Sequence, residues 1–420
     1  MIPASRKTSR EENALLTSTR AGTPMGEVLR RFWWPISVSD DLKDKPTYVR
    51  VLSEDLVLFR DGKGRLGLLD ALCPHRRANL CLGSTGERGL RCRYHGWLFD
   101  TNGNALETPG ELPDSEFKSG IKQRAFPVQE LGGFIFAYLG PQPAPLLPRW
   151  DFLAAPGPRF RRVTGFANCN WLQVVENGMD PVHASFMHGQ TWTGVAPSPT
   201  FIDYGETDYG VYYRSARTTG DTEKVTFREH HLLVPGISVA PDGFTRNMKG
   251  DFAEFAGGNA MLPRSARFNT PIDDTHTMVL RVTWKPEGSP AEWKATPLQM
   301  PDWKPDLVQP YNEYKRMEPT PPTLGYGWPS AIGAQDATVE DSMGPIADRE
   351  NENLSGRIDG GVIMFRDILL RAIEDVKAGR DPKGVVRDPK VNEMITIPGF
   401  EKIVDKEEFR RLAAMQQAAE

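Results

Sequence analysis

Four residues in the first quarter of the chain have the types and spacing of a metal site. One residue separates Cys73 from His75, sixteen residues follow, and two residues separate Cys92 from His95. Such a set can bind zinc tetrahedrally, or it can hold a Rieske [2Fe–2S] cluster with the cysteines on one iron and the histidines on the other. Zinc ligand pairs are usually about two to four residues apart, so the first pair favours the cluster. The spacing therefore predicts a centre that carries electrons.

A second candidate metal site lies in the stretch ENGMDPVHASFMH, which supplies Glu176, Asp180, His183 and His188. Two imidazoles and one carboxylate form the facial triad of non-haem Fe(II) proteins, which leaves positions open for dioxygen and a substrate. On a regular helix of about 3.6 residues per turn, the two histidines would point about 140° apart. The pattern therefore predicts a distorted helix, for example one with a local bulge. Taken alone, this histidine pair is also compatible with side chains that pack against or cap a helix.

The elements that must position these residues divide the chain into four parts. Residues 1–45 predict an N-terminal helical cap, because TPMGEVLRRFWWPI has apolar residues near helical spacing before Pro35. Residues 46–140 predict a small antiparallel β domain with turns at DGKG and DTNG and with both Cys/His pairs at strand ends. Proline is concentrated in a predicted linker at 141–159, and a mixed domain with the second site follows at 160–420.

Helices and strands are both predicted in the mixed domain. The stretch NCNWLQVVENGMDPVHASFMH predicts two helical pieces interrupted near Gly178 and Pro181. The stretches DYGVYYRSAR and THTMVLRVTW predict strands of a sheet. The stretch GGVIMFRDILLRAIEDVKAG predicts a helix that ends at a glycine, and the charged tail of the chain predicts a final helix.

The composition of the 420-residue chain argues against several classes of protein. Its formal net charge of −4 gives no electrostatic basis for binding nucleic acid or an anionic membrane. No apolar run approaches the roughly 20 residues that span a bilayer, and no secretory signal is recognisable, so a cytoplasmic protein is expected. Four cysteines are too few for a disulfide framework. Because a G-x-G-x-x-G dinucleotide motif is absent, electrons from NAD(P)H are expected to arrive through a separate protein.

The residues around both candidate sites resemble one known family. CPHR and CRYHGW are similar to the two cluster-binding loops of Rieske proteins, and Tyr94 stands where some of those proteins have a disulfide-forming cysteine. Together with GTPMGEVLRRFWWP, NWLQVVENGMDPVHASFMH and QDATVEDSMGPIADR, the similarity extends over nearly the whole chain. The chain resembles the large (α) oxygenase component of Rieske non-haem iron oxygenases, in the phthalate dioxygenase branch that includes aromatic O-demethylases. The resemblance places the cluster with the disulfide-free type.

The resemblance also implies a fold and a set of ligands. The implied fold class is α+β, with an N-terminal antiparallel β Rieske domain and a catalytic domain whose central antiparallel sheet is flanked by helices (helix-grip, START-like). The implied cluster ligands are Cys73, His75, Cys92 and His95. Mononuclear Fe(II) is assigned to His183, His188 and Asp336, which is preferred over Asp341 because Asp341 stands where this branch usually has glutamate. Asp180 matches the aspartate that links a Rieske histidine to an iron-bound histidine.

Together these implications predict the terminal oxygenase of a multicomponent system. It is expected to activate O2 at Fe(II) and to hydroxylate or O-demethylate an aromatic compound, such as a phthalate or a methoxylated benzoate, in aromatic catabolism. Expected partners are a separate flavin/[2Fe–2S] reductase, with or without a ferredoxin, and further copies of the chain in a homotrimer or hexamer. Candidate partners for a substrate carboxylate are Arg214, Arg217, Arg228 and Arg246. The alternative is a non-catalytic Rieske electron carrier or a zinc-binding module.

Overall fold

The computed structural model describes residues 5–112, 114–188, 199–218, 223–241, 264–287, 332–399 and 401–417. The helices in these residues are α1 (Arg10–Thr17), α2 (Pro24–Leu29), α3 (Asp151–Ala154), α4 (Trp171–Asn177), α5 (His183–Met187), α6 (Ile332–Ser342), α7 (Gly360–Lys377) and α8 (Lys406–Gln417). The strands are β1 (Ser5–Arg6), β2 (Trp33–Val38), β3 (Thr47–Val51), β4 (Glu54–Arg60), β5 (Leu66–Asp70), β6 (Ser84–Gly86), β7 (Gly89–Arg91), β8 (Leu98–Phe99), β9 (Ala105–Glu107), β10 (Val128–Leu131), β11 (Phe134–Tyr138), β12 (Arg159–Ala167), β13 (Phe201–Thr207), β14 (Gly210–Thr218), β15 (Lys224–Leu233), β16 (Ile237–Pro241), β17 (Arg264–Asp273), β18 (His276–Trp284), β19 (Leu354–Ser355) and β20 (Glu401–Asp405). Among the described helices, none combines the length and the apolar character needed to cross a lipid bilayer.

The N-terminal segment contains two short helices followed by a strand. A capping box starts α1, since the Ser9 hydroxyl accepts the Glu12 N–H and the Glu12 carboxylate accepts the Ser9 N–H. Helix α2 begins with Pro24 at its first position. The predicted helical cap is wrong for residues 33–38, which form β2 and pair with β11. Their aromatic and β-branched side chains favour a strand, and Pro35 is tolerated because β2 lies at the edge of its sheet.

Three small antiparallel sheets build the region that was predicted to be a β domain. Their strand orders are β3-β4-β5, β6-β7-β8-β9 and β10-β11-β2. In the DGKG turn, the Asp61 carboxylate accepts the N–H groups of Lys63 and Arg65. Asp100 does the same in the DTNG turn, where Gly103 has a φ of +82°. The two Cys/His pairs directly follow β5 and β7, as predicted.

A larger antiparallel sheet forms the second half of the protein. Its strand order is β12-β18-β17-β16-β15-β14-β13, and β20 pairs with the part of β15 that β16 does not cover. Helices α4 and α7 share a buried apolar core with side chains of β14 and β15. The predicted fold class, an α+β protein whose central antiparallel sheet is flanked by helices, is confirmed.

Helix α7 is the longest described helix, and it follows the predicted periodicity. Its buried apolar side chains recur at helical spacing: Val362, Phe365, Ile368, Leu369, Ala372 and Ile373. A Cβ on Gly361 would lie 2.7 Å from the Met179 side chain and 3.1 Å from the Tyr204 ring, so a larger residue here would require both side chains to shift. The helix stops before Gly379, whose φ of +74° favours glycine, as predicted.

Glu176 belongs to a buried ion network that ties α4 to α7. Its two carboxylate oxygens accept hydrogen bonds from Arg366 Nε at 2.6 Å and from Arg349 Nη2 at 2.9 Å. Both arginine side chains are at most 1% exposed, and Arg366 also pairs with Glu352. Burial alone would raise the pKa of Glu176, but the two guanidinium groups hold it below its usual range. The network fixes the end of α4 that leads into the turn with Asp180.

We expect Glu176→Gln to lower the melting temperature sharply, because breaking a buried ion pair costs about 3–5 kcal/mol. Since Arg349 and Arg366 lower the pKa of the folded carboxyl, its stabilisation is full above the unfolded glutamate pKa of about 4.3. That stabilisation is lost as the pH falls through the lower folded pKa. Thermal melts at neutral and acid pH check both effects. The control is Glu374→Gln, which removes an exposed helix pair worth at most about 0.5 kcal/mol. Equal melting temperatures for Glu176→Gln and wild type would contradict this expectation.

Candidate metal centres

The two Cys/His loops have the same backbone hydrogen bonds. In the first loop, the Cys73 N–H donates to the Ala78 carbonyl and the Arg77 N–H donates to the Cys73 carbonyl, both at 2.9 Å. The loop that begins at Cys92 repeats these bonds at 2.8 and 3.0 Å. The fifth residue of each loop, Arg77 or Gly96, has a positive φ of 59° or 75°. The loops therefore have one shape, and they differ in that the histidine is the third residue of the first loop and the fourth of the second.

The predicted ligand side chains of the two loops come together. Both thiols are buried, and burial with the neighbouring Cys92 raises the pKa of Cys73 to about 11. The ring centroids of His75 and His95 are 4.5 Å apart. His95 Nδ1 is buried and has no hydrogen-bond partner among the described residues. Two adjacent thiols, two adjacent imidazoles and an unsatisfied ring nitrogen fit a cluster held by two cysteines and two histidines.

Aromatic side chains surround the two cluster-loop histidines. Trp97 stacks on His75 with centroids 4.4 Å apart and an angle of 5° between the ring planes. Tyr94 lies 3.8 Å from the His95 ring and is 56% exposed. All four cysteines of the chain are described and free, so a disulfide between the loops is absent. This agrees with the disulfide-free type that the resemblance implies.

The second site begins at the turn between α4 and α5, where the predicted interruption near Gly178 and Pro181 occurs. Asp180 Oδ1 accepts the N–H groups of Val182 at 2.7 Å and His183 at 3.1 Å, which caps the start of α5. The Asp180 carbonyl oxygen lies 2.7 Å from His183 Nδ1. With the proton on Nδ1, Nε2 of His183 is unprotonated, and this is the tautomer that binds a metal.

His188 lies at the other end of α5 and is held by α6. Its backbone leaves helical geometry at φ −102° and ψ 13°, so the expected distortion is a helix end and not a bulge. His188 Nδ1 lies 2.6 Å from Gln335 Oε1. The amide oxygen can only accept, so His188 donates from Nδ1, and Nε2 is the ring nitrogen that lies near Asp336. The rings of His183 and His188 are 5.6 Å apart and nearly perpendicular, at 84°.

Asp336, on α6, completes the second site. One ligand atom each from His183, His188 and Asp336 lies within 4.8 Å of the other two. Asp336 Oδ1 is 3.1 Å from His188 Nε2 and 3.9 Å from His183 Nε2. This oxygen is buried. Burial alone would lower the pKa of His188, but Asp336 and Gln335 hold it above its usual range. Two imidazole Nε2 atoms and one buried carboxylate oxygen that lie this close together fit an Fe(II) site of two histidines and one carboxylate.

Asp341, the alternative to Asp336, contacts a different part of the chain. Its carboxylate accepts the Asn168 N–H at 2.9 Å and the Asn168 Nδ2–H at 3.2 Å, so it fixes the segment between β12 and α4. Burial alone would raise the pKa of Asp336, but His188 and Arg267 hold it below its usual range. Asp336 is therefore a carboxylate beside the histidines, whereas Asp341 supports the fold.

Three polar neighbours of the second site were not identified from the sequence, namely Gln335, Arg267 and Glu340. Arg267 Nη2 donates to Glu340 Oε1 at 3.2 Å, and Arg267 Nη1 lies 4.0 Å from Asp336 Oδ2. Burial raises the pKa of Glu340 to about 7, with the Asp336 charge adding to it and Arg267 offsetting part. Glu340 lies four positions after Asp336, a spacing that places both residues on one face of a helix and could have indicated it. The adjacent Gln335 gives no such signal. Arg267 comes from the sheet, and nothing local indicates it.

Two of the candidate arginines are committed to carboxylates of the protein. Arg214 Nε pairs with Glu229 Oε2 at 2.6 Å, from the facing position on the neighbouring strand. Arg228 Nε lies 3.6 Å from Glu401 Oε1 on β20. Arg246 lies outside the described residues. Arg214 and Arg228 thus have structural partners that the sequence did not reveal.

Arg217 differs from Arg214 and Arg228 because all its contacts in the described residues are with neutral acceptors and none is an ion pair with a carboxylate. The side chain donates to the Pro181 carbonyl, to Ser185 Oγ at 3.1 Å and to Ser215 Oγ at 3.4 Å. The residue is only 5% exposed, and within the described ranges it forms no ion pair with a carboxylate. Two of its acceptors flank His183 in the sequence. Arg217 therefore places a positive charge next to the predicted iron site.

Comparison with known proteins identifies the family. A family model of the Rieske [2Fe-2S] domain matches residues 32–123, one of the vanillate O-demethylase oxygenase C-terminal domain matches 167–293, and one described as LigXa C-terminal domain like matches 259–420. The chain is 35% identical over 406 residues to the 5,5'-dehydrodivanillate O-demethylase oxygenase subunit of a Sphingobium species. This alignment covers 93% of this chain and 86% of that protein. The chain belongs to the Rieske oxygenase family.

Other relatives of this Rieske oxygenase differ in their named reactions. The phthalate 4,5-dioxygenase oxygenase subunit of Pseudomonas putida is 31% identical, with 89% of this chain and 88% of that protein covered. The tert-butanol monooxygenase/tert-amyl alcohol desaturase oxygenase subunit of Aquincola tertiaricarbonis is 32% identical, with coverages of 89% and 78%. The solved structure of Pseudomonas putida CBB5 NdmA with caffeine has the same fold, with a TM-score of 0.60, 20% identity and coverages of 85% and 94%.

Family membership determines the class of the protein and its cofactors. This Rieske oxygenase is the oxygenase component of a multicomponent system, as predicted, and not an isolated electron carrier or a zinc-binding module. It uses a Rieske [2Fe–2S] cluster and a mononuclear iron, and its electrons come from a separate reductase.

Proposed function

We propose that this Rieske oxygenase oxidises an aromatic carboxylate, with O-demethylation of a methoxylated aromatic acid as its first activity. The observation that carries the proposal is Arg217, a buried guanidinium beside the candidate iron site with no carboxylate partner in the described residues. A buried charge is costly unless it is paired, and a substrate carboxylate would supply the partner. The names of two relatives, a dehydrodivanillate O-demethylase and a phthalate dioxygenase, support the aromatic part of this assignment.

Two stacked rings on the same sheet face as Arg217 support an aromatic substrate. Tyr213 and His230 are cross-strand partners on β14 and β15, and their rings stack at 4.6 Å with 20° between the planes. Tyr213 and Arg217 are four residues apart on β14 and so lie on one face of the sheet. Burial lowers the pKa of His230 well below the usual histidine range, with Arg228 and Arg217 adding to the effect, so the ring is neutral. A sheet face that carries two stacked rings can pack against the ring of an aromatic substrate.

The proposed ligands divide between the two parts of the chain predicted from the sequence. In the region 46–140 the cluster would be held by Cys73, His75, Cys92 and His95, and in the region 160–420 the iron by His183, His188 and Asp336. When bound, the two centres supply the activation of dioxygen and the electrons that it needs. The protein's own contribution would be to orient the side chains that bind the metals. The Asp180 carbonyl and Gln335 accept from Nδ1 of the two histidines, so that Nε2 is the atom of each ring that would bind the metal.

The proposed assembly is a homotrimer or a hexamer, in which each Rieske domain serves the iron of a partner subunit. Two exposed groups support this arrangement. The Asp180 side chain is 36% exposed, and its Oδ2 accepts no hydrogen bond within the described chain, while the His75 ring is also exposed. Asp180 could therefore accept a hydrogen bond from a cluster histidine of the partner subunit. Analytical ultracentrifugation should give three or six chains per particle, and a monomer would contradict this arrangement.

The substrate assay tests the proposed function directly. The purified protein would be incubated with a flavin/[2Fe–2S] reductase, NADH, oxygen and a panel of methoxylated benzoates and phthalates. Formaldehyde release coupled to NADH consumption is the expected result. A cis-diol from a phthalate would instead establish ring dihydroxylation, the second candidate, for which the Pseudomonas putida relative is the observation. Turnover of neutral alcohols with no turnover of any aromatic acid would contradict the proposal.

Arg217→Met is expected to raise the KM for the aromatic acid by about 10- to 100-fold. The loss corresponds to about 1.5–3 kcal/mol for a hydrogen bond to a charged group. The methyl ester of the same acid is the decisive comparison. Because the ester lacks the negative charge, its KM should rise much less in Arg217→Met. A purely structural effect on the turn at Pro181 would lower turnover of acid and ester equally. Arg371→Met, at an exposed arginine paired with Glu206, is the control and should leave both substrates unaffected.

A further inference from the structure

Helix α6 presents two carboxylates four residues apart, Asp336 and Glu340, on one face. Both are enclosed, since the Asp336 side chain is 11% exposed and the Glu340 side chain is 2% exposed. Two like charges at this spacing repel each other, and burial strengthens the repulsion. Arg267 of β17 lies between them and is itself fixed by a hydrogen bond from its Nε to Asn269 Oδ1 at 3.0 Å. The guanidinium of Arg267 thus lies near two buried carboxylates.

Arg267 lies closer to the Glu340 carboxylate than to the Asp336 carboxylate. Its Nη2 is 3.2 Å from Glu340 Oε1, which is a charge-assisted hydrogen bond. Its Nη1 is 4.0 Å from Asp336 Oδ2, which is beyond hydrogen-bond distance. Asp336 therefore directs Oδ1 towards the histidines and keeps Oδ2 near a positive charge that does not bind it. The stronger contact to Glu340 keeps the guanidinium at that distance.

We propose that Glu340 is a positioning residue for the iron site, which engages Arg267 and so keeps the Asp336 carboxylate available to the metal. This inference rests on the proposed binding of iron by His183, His188 and Asp336. Without the charge of Glu340, Asp336 is the remaining carboxylate near Arg267 among the described residues. A two-point arginine–carboxylate bond would then compete with the metal for the same side chain.

Glu340→Gln tests the inference, because it keeps the size of the side chain and removes the charge. Fe(II) affinity would be measured by anaerobic chelator competition on protein with an intact Rieske cluster, at about pH 8, which is above the raised pKa of Glu340. We expect the Kd for Fe(II) to rise at least about tenfold, the scale of losses when a partner of a metal ligand is removed. The sulfide content and the visible spectrum of the cluster should not change. Glu374→Gln, on the exposed face of α7, is the matched control.

A double variant separates competition from a general structural role. Glu340→Gln combined with Arg267→Gln removes the competing guanidinium and should restore Fe(II) affinity to within about threefold of wild type. Wild-type affinity in Glu340→Gln, or weaker binding in the double variant than in the single one, would overturn the inference. If Glu340→Gln does not fold, Arg267→Gln alone decides, since the inference requires unchanged or tighter Fe(II) binding and a structural role requires weaker binding. A wild-type protein that binds no iron here would contradict the proposed site itself, whereas iron in the wild type with unchanged affinity in Glu340→Gln would overturn only the role of Glu340.

Discussion

Replacing Asp180 with asparagine should nearly abolish product formation while both metal centres stay bound. The asparagine oxygen can still accept the N–H groups of Val182 and His183, and the backbone carbonyl can still hold His183 Nδ1. The iron ligands therefore keep their positions. What is lost is the negative charge on the exposed Oδ2, which we propose accepts a hydrogen bond from a cluster histidine of the partner subunit. We expect the rate of product formation to fall by about 100-fold.

Single-turnover kinetics would locate that loss. Enzyme with a reduced cluster is mixed with substrate and oxygen, and oxidation of the cluster is followed by its visible absorption. In Asp180→Asn this oxidation should be slow while the iron and sulfide contents equal those of wild type. Asp208→Asn, at an exposed aspartate in the turn between β13 and β14, is the control and should oxidise its cluster at the wild-type rate. Wild-type turnover by Asp180→Asn would contradict the role of this carboxylate between the two centres.

Asp336→Ala should remove the mononuclear iron and all product formation. It deletes the single carboxylate of the proposed ligand set and leaves two imidazoles, which bind Fe(II) much more weakly than the complete set. The iron content should fall from about three to about two per chain, with about two sulfides retained in the cluster. Metal analysis and a sulfide assay on the same sample measure both quantities.

Asp341→Asn provides the matched comparison, because Asp341 lies on the same helix and contacts Asn168. It should keep about three irons per chain. Some loss of thermal stability is expected, since a hydrogen bond between the carboxylate and the Asn168 backbone is weakened. Retention of the third iron by Asp336→Ala, or equal iron loss in both variants, would show that Asp336 is not a ligand.

The cluster loops and the turn with His183 could be predicted because their chemistry is local in the sequence. Each cluster loop brings a cysteine and a histidine together through hydrogen bonds within six residues. His183 and His188 likewise lie at the two ends of one short helix. The strand at residues 33–38 was missed because a few apolar residues near helical spacing do not distinguish a helix from an edge strand.

The charges around the second site could not be predicted, because their partners are distant in the sequence. Arg214 pairs with Glu229 only because β14 and β15 are adjacent in one register, and Arg267 reaches α6 from β17. A sequence shows which residues carry charge, but the sheet determines which charges neutralise each other. For this reason four arginines were equivalent candidates in the sequence. Among the three that the structure describes, Arg214 and Arg228 pair with carboxylates and Arg217 contacts neutral acceptors.

The most direct test of the whole account is the iron and acid-labile sulfide content of the purified protein. A Rieske cluster together with a site at His183, His188 and Asp336 predicts about three irons and about two sulfides per chain. About two irons with about two sulfides would be consistent with the cluster alone and would contradict the proposed iron site. Zinc without sulfide would contradict both centres.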